Sequence, residues 1–297
     1  MQKKVVVTGA TGFVGSHLCA ALAKEFKVIG LNVTHERTLP PEVSFVHADC
    51  RDTETLQTLF SGAEYVFHTG ALPRVQYSIE HPQETNDVNV NGTLSVLVAA
   101  RDASVKKVVY SASSSAYGDQ DAMPLREDMP ARPISPYALQ KYTGELYCSL
   151  FSEVYGLPTV SLRYFNVYGP GADPNGAYAL VIAKFIKLRL EGKPLTITGD
   201  GTQTRDFTHV RDVVRANLLA ATSDKIGKGE VINIGAGKNA SVNIIAELIG
   251  GPVEHIAPRL EPHDTLADNS LAKELLGWEP QVSLEEGIAE LKKLSGI

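Results

Sequence analysis

The stretch Val7-Thr8-Gly9-Ala10-Thr11-Gly12-Phe13-Val14-Gly15 decides how the rest of the chain is read. The run Val5–Thr8 is apolar and β-branched and reads as a strand, while Ser16–Lys24 reads as a helix with Leu18 and Leu22 on one side. Glycines between a strand and a helix permit a tight turn and a close approach of the backbone to a pyrophosphate. The helix N-terminus behind them supplies free N–H groups and a partial positive charge. The spacing is GxxGxxG rather than GxGxxG, but the strand–turn–helix context is the one a dinucleotide cradle requires.

Working outward, β-branched runs and helical patterns alternate. Strands are expected at Lys27–Leu31, Val43–His47, Tyr65–His68, Lys107–Ser111 and Thr159–Arg163. Helices are expected at Thr53–Phe60, Thr85–Ala103 and Tyr137–Tyr155. That alternation predicts an α/β fold, a Rossmann-type doubly wound parallel sheet with helices on both faces. After Arg163 the segments shorten and Gly and Pro punctuate them, as at Gly169-Pro170-Gly171 and Gly199-Asp200-Gly201. Helices at Leu180–Leu190, Val210–Thr222, Asn243–Leu248, Ser270–Leu276 and Leu284–Leu294 and an isolated strand at Leu195–Thr198 follow. Val231–Ile234 reads as a buried strand returning to the first sheet. The expected division is a dinucleotide-binding domain over 1–165, rejoined by 208–235, with a smaller α/β substrate lobe formed by 166–207 and 236–297.

Composition excludes several classes. In 297 residues, 43% are hydrophobic and 21% charged, which is ordinary globular usage and too balanced for a disordered chain. A net charge of −6 argues against nucleic acid as the partner. Cys19, Cys50 and Cys148 are far apart and odd in number, so free thiols in a reducing cytoplasm are expected. No CxxC or HExxH spacing is present, and no metal is expected. No apolar stretch approaches a membrane span, and neither a membrane nor a signal peptide is expected to be involved.

Two further places carry chemistry. At the end of the second strand, where an acidic residue normally takes the adenosine ribose, stands Asn32, with Arg37 close enough in sequence to meet a 2′-phosphate. NAD is the expected coenzyme, with NADP kept open. Asp49, after the third strand, is placed either to accept from the adenine amino group or to cap a loop. Tyr137 and Lys141 lie at i and i+4, one above the other on a helix that Ser135 caps and Pro136 opens. An ammonium beside a phenol is expected to lower the tyrosine pKa toward neutrality and make Tyr137 a general acid/base. Ser111–Gly118 leaves the fifth strand at the edge where open parallel sheets place ligands, so Ser113 can hold a substrate oxygen near that phenol.

These pieces together resemble the extended short-chain dehydrogenase/reductase family, the nucleotide-sugar epimerases and dehydratases. The resemblance extends through Asn89-Val90-Asn91-Gly92, Arg163–Pro170, Arg205-Asp206-Phe207 and Leu276-Gly277-Trp278. It implies that Gly9, Gly12 and Gly15, with the backbone of Phe13 and Val14, line the NAD pyrophosphate. Asn32, Asp49 and Cys50 would face the adenosine, Lys141 the nicotinamide ribose, and Asn89 would also belong to the cofactor site. Ser113, Tyr137 and Lys141 would be catalytic. Ser113, Ser114, Asn166, Thr196, Arg205, Arg259 and Thr265 would hold a UDP-sugar. Ser113-Ser114-Ser115 lacks the acids of the 4,6-dehydratases and the decarboxylases, which leaves hydride removal and return at C4. Asp173–Ala179 and the small Thr265 resemble the UDP-N-acetylglucosamine 4-epimerases. A homodimer through Thr85–Ala103 and Tyr137–Tyr155 is implied by the family. Two alternatives remain open: an NADP-dependent 4-keto-sugar reductase and a non-catalytic nucleotide sensor. A diphosphate substrate would be repelled by the net charge, so its binding must rest on local cations such as Arg205 and Arg259.

Overall fold

The computed structural model describes residues 2–34, 37–175, 181–257 and 264–297. Seven parallel strands form the central sheet: β1 (Lys4–Thr8), β2 (Lys27–Asn32), β3 (Ser44–His47), β4 (Ala63–His68), β5 (Lys107–Ser113), β6 (Thr159–Tyr164) and β9 (Lys228–Ile234), in the order β3-β2-β1-β4-β5-β6-β9. The expected α/β class and doubly wound sheet are observed, and the run around Val231–Ile234 pairs with β6. The strands are apolar on both sides because helices cover both faces. In β1, Val5 and Val7 enter one core and Val6 the other, all fully buried. In β5, Val109 takes the first side and Val108 and Tyr110 the second.

Helices α1 (Phe13–Leu22), α8 (Val210–Thr222) and α10 (Ser270–Leu276) close the first core, where Trp278 is fully buried. The second core lies under α2 (Thr53–Phe60), α5 (Gly92–Asp102) and α6 (Pro136–Tyr155). Between β4 and α5 run α3 (Val75–Glu80), absent from the sequence reading, and α4 (Pro82–Asn86). The single helix expected over Thr85–Ala103 is in fact α4, a π-helical turn at Asp87–Asn91 and α5. That wide turn brings Asn89 inward, 1% exposed, where an unbroken α-helix would keep the periodicity of its neighbours.

A third core joins α7 (Val181–Leu190), α9 (Val242–Ile249) and α11 (Leu284–Ser295) through Phe185, Ile245 and Ile288. The strand β7 (Leu195–Thr198) is not isolated: it pairs in parallel with β11 (Val253–Ile256). A further pair, β8 (Thr204–Asp206) with β10 (Asn239–Ser241), is antiparallel. These pairings escape a local reading because both partners are short and lie 33 or more positions apart, so neither carries its own alternating signature.

Candidate active site

The strand order reverses beside β1, whose neighbours are β2 and β4, and crevices outside the carboxyl ends of the strands at such a point are where open α/β sheets bind ligands. Here the glycine turn is packed against the end of β4. Gly9 has φ +67°, and a Cβ on it would lie 2.7 Å from the Cα and N of Gly70. A Cβ on Gly15 would lie 2.1 Å from the Gly9 carbonyl oxygen, so the first turn of α1 rests directly on the loop. The Gly12 N–H donates to the Gly9 carbonyl at 3.0 Å, and Gly12 caps α1 with no side chain on its first-turn N–H groups. Phe13 and Val14 open that helix. The tight turn and uncapped helix end fit a pyrophosphate.

Behind the turn lies a buried relay. Thr8 Oγ1 accepts from the Gly70 N–H at 3.1 Å and meets His68 Nδ1 at 2.7 Å. His68 Nε2 meets Thr93 Oγ1 at 2.9 Å, and that hydroxyl donates to the Asn89 carbonyl at 2.7 Å. Since both threonine hydroxyls have their roles set by the backbone, His68 accepts at Nδ1 and donates at Nε2. Burial pushes the imidazole down to about 3, so it is a neutral bridge holding β4 to α5.

At the adenosine end the expected side chains are present but largely engaged. Asn32 Nδ2 donates to Thr11 Oγ1 at 2.6 Å, and its Oδ1 accepts from the Val33 N–H, so the amide braces the glycine turn. The Asp49 carboxylate accepts from the Arg51 backbone N–H and guanidinium, which hold it below the usual carboxylate range. The Cys50 thiol is buried against Gly92 and pushed up to about 11, so any contact it makes with a ligand is through its backbone. The guanidinium of Arg37 donates to the Gly171 carbonyl and lies 6.0 Å over the Phe13 ring, which ties the loop after β2 to the loop after β6. His17 on Pro170 and Arg74 on Asp173 hold the same loop, at 2.8 and 3.1 Å. The Asn89 amide bonds both backbone groups of Leu72 and Gln140 Oε1. It therefore shapes the loop after β4 and has no free donor there.

At the end of β5, Ser113 caps a short 3-10 turn, Ser114–Tyr117, accepting from the Ser115 N–H at 3.2 Å and the Ser115 hydroxyl at 2.8 Å. The Ser113 hydroxyl lies near enough to the Tyr137 phenol to favour its ionised form. Lys141 stands one turn further along α6, 4% exposed, with Nζ donating to the Ser111 carbonyl at 2.6 Å and 4.7 Å over the Tyr110 ring. Gly144 is the residue that lets Tyr110 in, since a Cβ there would fall 2.3 Å from the phenol oxygen. Ser113 ends β5 while Tyr137 and Lys141 lie on the first turns of α6, and one electrostatic expectation is corrected. Burial raises the Tyr137 pKa, opposed by the Ser113 hydroxyl, and Lys141 itself is brought down to about 8 by desolvation. In the protein by itself, the water stripped from each group is the largest influence on it.

Three of the expected substrate positions, Asn166, Arg205 and Thr265, lie around β8. Asn166, at φ +30°, donates from Nδ2 to the Asp206 carbonyl at 2.9 Å. Arg205 on β8 donates to the Thr204 carbonyl at 2.8 Å. Thr265 lies against the same strand, its N–H on the Thr204 carbonyl and its hydroxyl 3.4 Å from the Asp206 N–H. The buried Asp206 carboxylate accepts from the N–H groups of Ala236, Gly237 and Ala267 and is pushed up to about 6 by desolvation. Thr196 Oγ1 on β7 is buried with no hydrogen-bond partner. Arg259 and Gly176–Ala179 lie outside the described residues. Glu145 and Arg163 were not singled out individually from the sequence, although Glu145 continues the face of Tyr137 and Lys141 by one more turn.

The profile of the NAD dependent epimerase/dehydratase family matches residues 5–235. A UDP-glucose 4-epimerase of Mycolicibacterium smegmatis is 38% identical over 97% of this chain and 96% of its own. The crystal structure of a UDP-N-acetylglucosamine 4-epimerase from Methanobrevibacter ruminantium, in complex with UDP-N-acetylmuramic acid, superposes with a TM-score of 0.94 at 36% identity, covering 100% of this chain and 99% of that one. A UDP-glucuronic acid 4-epimerase from Bacillus cereus, in complex with UDP-glucuronic acid and NAD, does so with a TM-score of 0.89 at 34% identity, covering 99% of both chains. With the family profile spanning most of the chain and relatives above 30% identity aligned along nearly all of it, the chain belongs to the NAD-dependent epimerase/dehydratase family.

Proposed function

We propose that this protein is a UDP-sugar 4-epimerase that works through a transient 4-keto sugar with tightly held NAD. The observation that carries this is the Ser113–Tyr137–Lys141 cluster with serines, not carboxylates, at 114 and 115. With no acid there to expel water or assist loss of carbon dioxide, the site is left with proton transfer at O4. Gly9, Gly12, Phe13, Val14 and Gly15 would hold the pyrophosphate on their backbone, Asn32, Asp49 and Cys50 would border the adenosine, and Lys141 the nicotinamide ribose. When bound, NAD supplies a positively charged ring that takes the C4 hydride and returns it. Tyr137 takes the O4 proton and gives it back. Ser113 holds O4 against the phenol, and Lys141 offsets the phenolate charge in a site that burial otherwise keeps neutral. Arg205 and Asn166 would carry the diphosphate, Thr196 the base, and Ser114 and Thr265 the sugar, with the division into domains expected above. Three buried, unpaired thiols suit a reducing compartment, the cytoplasm.

Relatives acting on UDP-glucose, UDP-N-acetylglucosamine and UDP-glucuronate set the choice of substrates for the test. Incubating the purified protein with each and resolving the C4 epimers should show interconversion of at least one pair, without net use of added coenzyme. Denaturation should release NAD. Stoichiometric consumption of NADPH, which the position of Arg37 keeps as the rival, or no interconversion at all, counts against the proposal.

The same reading includes a homodimer. Leu139, Leu146, Leu150 and Val154 on α6 are 53, 53, 47 and 59% exposed and form one stripe at helical spacing, opposite the face that carries Lys141. Sedimentation at micromolar concentration should give a dimer, and L146D/L150D a monomer. A monomeric native protein counts against this part.

A further inference from the structure

Tyr137, Lys141 and Glu145 follow one another at four-residue intervals on α6, so they share one face of the helix. That face is buried: Lys141 is 4% and Glu145 2% exposed. Glu145 meets Arg163 of β6 in a bidentate pair, Nε to Oε1 at 2.9 Å and Nη2 to Oε2 at 2.6 Å. Two parallel bonds of that length are the geometry of a carboxylate with a guanidinium. Arg163 in turn lies 4.5 Å over the ring of Tyr117, whose hydroxyl donates to Asn233 of β9 at 2.7 Å. Tyr117 closes the 3-10 turn that starts next to Ser113.

A buried ion pair is a weak source of stability, because desolvating two charges offsets their attraction. Its placement one helical turn beyond the lysine gives it another use. We propose that Glu145 is a positioning residue for the catalytic pair: clamped by Arg163, it supplies the buried negative charge that keeps Lys141 an ammonium beside Tyr137.

The other groups around Lys141 leave little else for that role. Cys148 on α6, Cys50 after β3, Tyr110 on β5 and His68 on β4 all face it, and burial keeps each of them neutral at neutral pH. Desolvation draws the lysine down to about 8, and Glu145 is the foremost group working against it. Arg163, beyond the carboxylate, pins its direction.

This inference rests on the epimerase reading for its consequence, but its central claim is tested without turnover. In protein labelled with 13C at lysine Cε, the Lys141 signal, assigned by its absence in K141R, should titrate at lower pH in Glu145→Gln by about one unit or more. At pH 8 a one-unit fall leaves about fivefold less ammonium. The basic limb of kcat should move down equally, with KM unchanged. The double variant E145Q/R163Q removes both charges, spares the fold an unpaired guanidinium, and should shift the signal the same way. An unchanged Lys141 titration in a folded variant, with kcat lowered equally at every pH, overturns the proposal. A shifted titration in a protein that epimerises no sugar leaves it standing and sinks the epimerase reading instead.

Discussion

Tyr137→Phe is expected to lower kcat for C4 epimerisation roughly 10²- to 10⁴-fold, the usual worth of a positioned acid/base. The ring stays, so packing on α6 is preserved, and the Tyr137 N–H keeps its bond to Ser78 Oγ at 3.0 Å. What disappears is the phenol near Ser113 and one turn from Lys141. Burial raises the phenol pKa in the protein alone, so its conversion to a base depends on positive charge brought beside it. On the proposed mechanism Lys141 would supply part of this and oxidised NAD the rest. The measurement is kcat alongside circular dichroism and the amount of coenzyme released on denaturation. A variant with native spectrum, native coenzyme content and undiminished kcat removes Tyr137 from the mechanism.

Gly15→Ala should abolish coenzyme retention and destabilise the fold. The added carbon would sit 2.1 Å from the Gly9 carbonyl oxygen and 2.9 Å from Thr69 Oγ1. The nearest atom is backbone in a turn that already packs on Gly70, so α1 must withdraw from the cradle. Overpacking of this kind costs about 1–3 kcal/mol, a fall in Tm of several degrees. Gly12→Ala is the control, since its Cβ would lie 3.1 Å from the same oxygen, at an ordinary φ of −71°. It should retain more coenzyme and melt nearer the native protein. Thermal melts and chromatography of released dinucleotide read both effects, and equal retention in the two variants refutes the ranking.

The cradle and the Tyr137–Lys141 pair were legible because each depends on local spacing: a strand, a turn and a helix, or one turn of one helix. The parallel sheet was legible for a similar reason, since strands buried on both faces announce themselves as continuous apolar runs. The helix between residues 85 and 103 was misread because a π-helical turn leaves no mark in hydrophobic periodicity. Its purpose, bringing Asn89 to Leu72 and Gln140, exists only across space. The pairings β7–β11 and β8–β10 were missed for the same cause.

The chain's residues in order thus dictate the fold class, the dinucleotide turn and the candidates for the reacting side chains, because these follow from near-neighbour geometry. Their electrical state does not. Lys141 rests on Ser111 thirty positions away, Glu145 on Arg163 eighteen away, and His68 on Thr8 sixty away. Whether a phenol, an ammonium or an imidazole holds its proton is set by the water removed around it and the charges folded against it, and those are assembled only by the tertiary structure.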